Sequence, residues 1–226
     1  MRLAPELASL VTPGVLWLDG LRIAEHDPRV DAALRAAEAR VRVVPPTARS
    51  AVRRMYSRTG LDPTRTRPSS EALLRRVRRG EPLPRVNSLV DVCNWCSVEL
   101  QLPFGLYDRD RIDGEVELRL GRPGEAYAGI RKDVVHVEGR LVVADRQGPF
   151  GNPTSDSSRT MITVLTARAL VVVFSPREAG RTAVVQALDL TAARAAAFAC
   201  ARESRRLVIE GCDPLTSDHQ SPTADH

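Results

Sequence analysis

The stretch Leu83-Pro-Arg-Val-Asn-Ser-Leu-Val-Asp-Val-Cys-Asn-Trp-Cys-Ser-Val-Glu-Leu100 decides the fold class. Pro82 and Pro84 hold an extended entry, and Asn87 has the short polar side chain that caps a first helical turn. From there Leu89, Val92, Cys93, Cys96 and Leu100 recur at helical spacing and form one apolar face. Pro103 and Gly105 end the helix. Upstream the same period persists. Asp27-Pro28 opens a helix to about Val43, a second covers Thr47 to Thr59 and stops at Gly60, and a third runs from Pro68 to Arg79 and stops at Gly80. Val15 to Ile23 is predicted as strand, turn, strand about Asp19-Gly20. Downstream the period shortens. Glu115 to Leu120, Val134 to Val137 and Arg140 to Ala144 are predicted strands, the last two joined as a hairpin by Glu138-Gly139. Asp145 to Ser158 has loop composition, Ala169 to Phe174 is a buried strand, and Thr191 to Arg206 an Ala-rich helix. Helices first, strands next and one last helix predict an α+β fold. Residues 1–212 are expected to form a single domain, with a polar, disordered tail over 213–226.

Composition bounds the partners. The net charge is +5, but Lys132 is the only lysine, so 32 of the 33 basic residues are arginine, as a GC-rich genome alone could produce. Distribution says more than the total. From Ala48 to Arg85 eleven arginines face three acids, a net +8, which leaves the rest at −3. Such a patch suits a phosphate backbone, or is a solvated face whose arginine stems cover apolar surface. No apolar run approaches the ~20 residues that cross a bilayer. The N-terminus lacks the pattern of a secretory signal, so a cytoplasmic protein without membrane contact is expected. Cys93 and Cys96 form a C-x-x-C without a second ligand pair, so buried helix-face thiols are expected rather than metal. No cofactor is expected. His26, His136, His219 and His226 offer little for a Ser-His-Asp triad.

Two stretches stand out as candidate chemistry. Asn94 sits in mid-helix, where an amide has poor propensity and must find partners if buried. It is either a ligand contact or a satisfied amide. Gly151-Asn-Pro-Thr-Ser-Asp-Ser-Ser-Arg-Thr160 gathers hydroxyls, an amide, a carboxylate and a guanidinium between two predicted strands. It is either a polar binding loop or a turn-rich connection.

These stretches, in this order, resemble the tRNA-binding editing domain (the B-three/B-four domain) of the phenylalanyl-tRNA synthetase beta chain, and more closely the free-standing proteins built from that domain. The likeness is carried by Arg54-Met-Tyr-Ser-Arg-Thr-Gly60, Asp62-Pro63, Arg67-Pro-Ser-Ser-Glu-Ala-Leu-Leu-Arg-Arg76, Leu83 to Asn94 and Pro103 to Asp108. Leu141-Val-Val-Ala-Asp-Arg-Gln-Gly148 and Asp156-Ser-Ser-Arg-Thr-Met-Ile-Thr163 continue it. The resemblance implies a β-sandwich core flanked by helices, and hydrolysis of a wrong amino acid from the 3′ end of tRNA. A Thr-Asn pair that lines the family's pocket aligns as Cys93-Asn94, and a family histidine aligns as Gly105. The expected catalytic residues are therefore Asn94 and Asp156. The expected substrate contacts are Cys93, Asn94, Gly105, Asn152, Asp156, Arg159 and Thr160, the last two either contacts or structural. Phosphates of tRNA are expected at Arg53, Arg54, Arg67, Arg75, Arg76, Arg78 and Arg79. The competing expectation is a non-catalytic module that binds tRNA, a free amino acid or another small metabolite.

Overall fold

The structure, a computed structural model, describes residues 1–45, 47–130 and 132–211, the side chains of residues 132 and 133 excepted. Cys212 and the tail expected over 213–226 lie outside the described residues. In chain order the elements are β1 (Arg2–Leu3), β2 (Gly14–Asp19), α1 (Pro28–Val43), α2 (Arg49–Arg58), α3 (Ser69–Arg78), α4 (Ser88–Leu100), β3 (Phe104–Asp108), β4 (Glu117–Leu120), β5 (Ala126–Gly129), β6 (Lys132–His136), β7 (Leu141–Asp145), β8 (Gly148–Gly151), β9 (Arg168–Val173), α5 (Gly180–Ala199) and β10 (Arg202–Val208). Two four-stranded sheets, ordered β1-β4-β7-β8 and β10-β2-β9-β3, share one apolar core, and β5 and β6 form a separate pair. The fold is α+β, as expected.

The helices begin where their caps dictate. Asp27 accepts the Arg29 amide at 2.8 Å with Pro28 in the first turn, and Asn87 accepts the Val90 amide at 3.0 Å. Asp91 completes the second cap by accepting the Val86 amide at 2.8 Å. β9 is buried along nearly its whole length because it is covered on both faces. The inner face of the other sheet meets one side, and α5 meets the second with Val184, Ala187 and Leu188. The small side chains of α5 permit close approach, and at Gly14 a Cβ would strike Val184. A second cluster joins α1, α3 and α4 through Leu34, Leu74, Trp95 and Val98. Gly60, at φ +79°, ends α2 against the backbone of Gly139, where a side chain would collide with the Gly139 carbonyl.

Several sequence expectations are corrected by long-range pairing. Only Gly14–Asp19 is strand in the stretch from Val15 to Ile23, because β9 and β10 occupy both edges of β2. Past Gly20 the chain turns away, and the Leu21 and Arg22 amides bond to Ala167 and Ala199 carbonyls at 3.0 and 2.8 Å. The hairpin about Glu138-Gly139 does not form. β6 pairs with β5, while β7 lies between β4 and β8, so the turn carries the chain from one sheet to another. The Asp145 to Ser158 loop contains β8. The last helix spans Gly180–Ala199 rather than Thr191 to Arg206: Cys200 adopts a left-handed φ of 54°, and Arg202–Val208 is the edge strand β10.

Candidate functional site

Beside the main core lies a cavity of about 530 Å³ between α3, α4, β3 and the segment after β8. Val90, Cys93, Asn94 and Ser97 recur at i, i+3, i+4 and i+7, so one face of α4 forms a wall. Ser69 and Leu73 of α3 stand opposite, and Phe104 and Leu106 project from β3. Met161 and Ile162 close a further side, and Asp156 enters from the loop. The lining is mainly apolar, and among the described residues that form it Asp156 is the only charged one. Cys96 points elsewhere: it is buried toward α5, with the Arg194 guanidinium 3.6 Å from its sulfur.

Backbone and side-chain bonds fix the loop that carries Asp156. Asn152 Oδ1 accepts the Thr154 and Ser155 amides at 2.8 and 2.9 Å, and Asn152 Nδ2 donates to the Tyr127 hydroxyl at 2.9 Å. The Ile130 amide donates to the Asp156 carbonyl at 3.1 Å, and the Ser157 amide to the Phe150 carbonyl at 2.8 Å. From α2, the buried Tyr56 hydroxyl donates to the Pro153 carbonyl at 2.7 Å. Held this way, the Asp156 carboxyl is pushed up to about 7 by burial, with the Tyr107 hydroxyl and the Leu106 backbone pulling the other way. Its Oδ1 has no hydrogen-bond partner. Burial likewise raises the Cys93 thiol well above its ordinary value, so this group stays a neutral thiol near pH 7.

Of the expected substrate contacts, Cys93, Asn94 and Asp156 therefore share one cavity. Four others do not line it. Gly105 lies between the two lining residues of β3, and the direction of its missing Cβ runs into the Tyr107 hydroxyl. Asn152 spends its amide on its own turn and on the Tyr127 hydroxyl. Arg159 forms a two-armed pair with the buried Asp145, both arms at 2.9 Å, donates to the Arg111 carbonyl at 2.9 Å and covers the Phe150 ring. Thr160 is fully buried. The composition of this loop serves its turns first, which sequence reading cannot separate from ligand contacts. Phe104 and Leu106 were missed, although two-residue alternation after Pro103 was a usable signal.

The arginines divide as well. A second cleft, of about 310 Å³, is lined by Arg49, Arg53, Arg67, Arg75, Arg78 and Arg79 about Glu71 and Leu74. Glu71 binds Arg53 at 2.8 and 3.1 Å and lies 3.4 and 3.7 Å from Arg49 and Arg67. Arg79 pairs with Glu81 at 2.6 Å, and Arg78 donates to the Val44 carbonyl. Arg75 has no ion pair among the described residues. Arg54 and Arg76 lie outside the cleft, paired with Glu178 and Glu81. Arg49 lines it and was not among the expected set.

A family model described as the B3/4 domain matches residues 51–193. The phenylalanine–tRNA ligase beta subunit of Paramagnetospirillum magneticum is 34% identical over 65 residues, 28% of this chain and 8% of that protein. That of Dechloromonas aromatica is 32% identical over 84 residues, 37% of this chain and 10% of that protein. The match thus spans 8–10% of the length of these curated relatives. Among solved structures, an N-terminal fragment of the phenylalanyl-tRNA synthetase beta-subunit from Pyrococcus horikoshii superposes with a TM-score of 0.48 at 12% identity, over 92% of this chain and 53% of that one.

Proposed function

The chain belongs to the B3/4 domain family, and we propose that it is a tRNA-binding protein that hydrolyses the ester of mischarged aminoacyl-tRNA in trans. The observation that carries this reading is the meeting of Asn94 and Asp156 in one largely apolar cavity of about 530 Å³, with the carboxyl pushed up to about 7. An aminoacyl ester is already activated, so its hydrolysis needs a positioned water and a base rather than a covalent nucleophile. Asn94 holds the amino acid or the ribose. Asp156, in its ionised form, binds the α-ammonium or orients the water. The apolar walls take the amino acid's side chain, and the arginine cleft across α3 takes phosphates of the RNA.

One observation favours a second reading. Among the described residues, the cavity lining contains no cationic side chain to steady a developing oxyanion. A module that binds tRNA or a free amino acid without turnover fits that lining as well. Incubation of the pure protein with a panel of correctly and incorrectly charged tRNAs separates the two. Selective loss of one mischarged ester, abolished by Asn94→Ala with fold and tRNA affinity intact, is the expected result. Full activity of Asn94→Ala would remove the cavity from the mechanism. No turnover of any substrate, with tRNA still bound, would leave the binding module.

A further inference from the structure

Tyr107 is fully buried in the core, on the face of β3 opposite Phe104 and Leu106, with its ring edge-on to Phe150 at 4.9 Å between centroids. Its hydroxyl lies between two glycines. A Cβ at Gly105 or at Gly151 would fall well inside contact distance of the phenol oxygen. Two strands, β3 and β8, thus each omit a side chain at the spot where the hydroxyl sits. The same two Cβ positions would also crowd the ring carbons next to the hydroxyl, so the glycines admit the whole outer end of the phenol. The phenol oxygen lies near enough to the Asp156 carboxyl to influence its charge, yet neither it nor Asp156 Oδ1 has a partner in hydrogen-bonding geometry. Buried polar atoms without partners are uncommon, and two adjacent ones that match as donor and acceptor form a pair waiting for a change of charge.

We propose that Tyr107 is a positioning residue for Asp156, whose hydroxyl donates a hydrogen bond to Oδ1 when the carboxyl ionises, in space kept open by Gly105 and Gly151. The inference deepens the reading of Asp156 as the cavity's working acid. No proton passes between the two: the ionised carboxylate accepts, and the phenol keeps its hydrogen. When Asp156 is protonated it is a weaker acceptor and gains less from the phenol than the carboxylate does. Tyr107 therefore favours the charged form and opposes the burial that raises the carboxyl. Three titratable groups face Asp156: Tyr107 on β3, Tyr127 on β5 and Cys93 on α4. Burial raises all three above their ordinary values, so each is neutral near pH 7. Asp156 alone among these four groups changes charge there. The glycine that stands where the resembling domain has a histidine thus has a local reason, room for the phenol.

The test is a carboxyl titration of the free protein, read by NMR with ¹³C-labelled aspartate and assigned with Asp156→Asn. Tyr107→Phe keeps the ring and its contact with Phe150 and removes only the hydroxyl. The Asp156 midpoint should rise by about one pH unit or more in that variant. In a deacylation assay, the rise of rate with pH should move to higher pH by the same amount, with tRNA affinity unchanged. In the wild-type protein the Tyr107 ring signals should shift with the Asp156 midpoint, a readout that needs no variant to fold. An unmoved midpoint in Tyr107→Phe, or Tyr107 signals indifferent to Asp156, overturns the inference. Because the titration uses no tRNA, a moved midpoint in a protein without deacylase activity would sink the proposed function and leave this pair standing.

Discussion

At Asp156, the proposed chemistry and the stability of the fold meet in one residue. Its carboxyl titrates near 7 in the fold against an ordinary 3.8, so between those values the folded protein holds a proton that the unfolded chain has released. Stability contributed by the neutral carboxyl is therefore lost as pH rises from about 4 to about 7. Asp156→Asn has no charge to bury. It should gain on the wild type as pH rises, and the gap should widen by up to about 3 kcal/mol between pH 5 and pH 8. Thermal denaturation of both proteins at the two pH values measures it; a constant gap would mean that the carboxyl is not held neutral. Such a cost is expected at a working site. Asn94 and Asp156 were visible in the sequence because each is an awkward residue for its position, an amide in mid-helix and an acid amid small hydroxyls. Gly105, Asn152, Arg159 and Thr160 looked equally chemical. Their roles depend largely on neighbours distant in sequence, such as Tyr127 beside Asn152 and Asp145 beneath Arg159.

Among the elements, α3 separates the two cavities, with Leu73 toward one and Leu74 and Arg75 toward the other. Glu71 ties it to α2. Burial alone would raise this carboxyl, but the hydrogen bonds from Arg53 and the charges of Arg49, Arg53 and Arg67 hold it below the usual glutamate range. Its contribution is present above the ordinary glutamate pKa and is lost as pH falls through the lowered one. Glu71→Gln should cost roughly 1–3 kcal/mol by leaving half-buried guanidiniums unpaired. It should not weaken tRNA binding, since it adds net positive charge to the cleft. Denaturant unfolding together with tRNA titration checks both halves, and weakened binding at unchanged stability would reverse the assignment. Elements like α3 were legible because caps, glycine stops and a 3.6-residue period are written locally. β5, β8 and β10 were not, because a strand is defined by its partner. β10 is seven residues of largely charged edge whose only pairing among the described residues is to β2, nearly two hundred residues upstream.

For the molecule as a whole, the charge asymmetry seen in the sequence survives folding in reduced form. The segment from Ala48 to Arg85 carries +8, but Glu71, Glu81 and Glu178 sit against Arg49, Arg53, Arg54, Arg67, Arg76 and Arg79. Within the cleft, what remains for a polyanion is concentrated at Arg75 and Arg78, which line it without an acid partner among the described residues. Each phosphate neutralised releases counterions and contributes a slope of about −0.7 to −0.9 in log K against log salt. Two to three such contacts predict a slope of roughly −1.4 to −2.7 for uncharged tRNA, far short of what eleven free arginines would give. Arg75→Ala should make that slope shallower by about one unit and weaken binding evenly across tRNA species. It should leave the pH dependence of Asp156 untouched, because the cleft and the cavity lie on opposite faces of α3. A tRNA affinity indifferent to salt would mean that the arginine cleft is a solvated surface, and would shift the molecule's function to the small, apolar cavity alone.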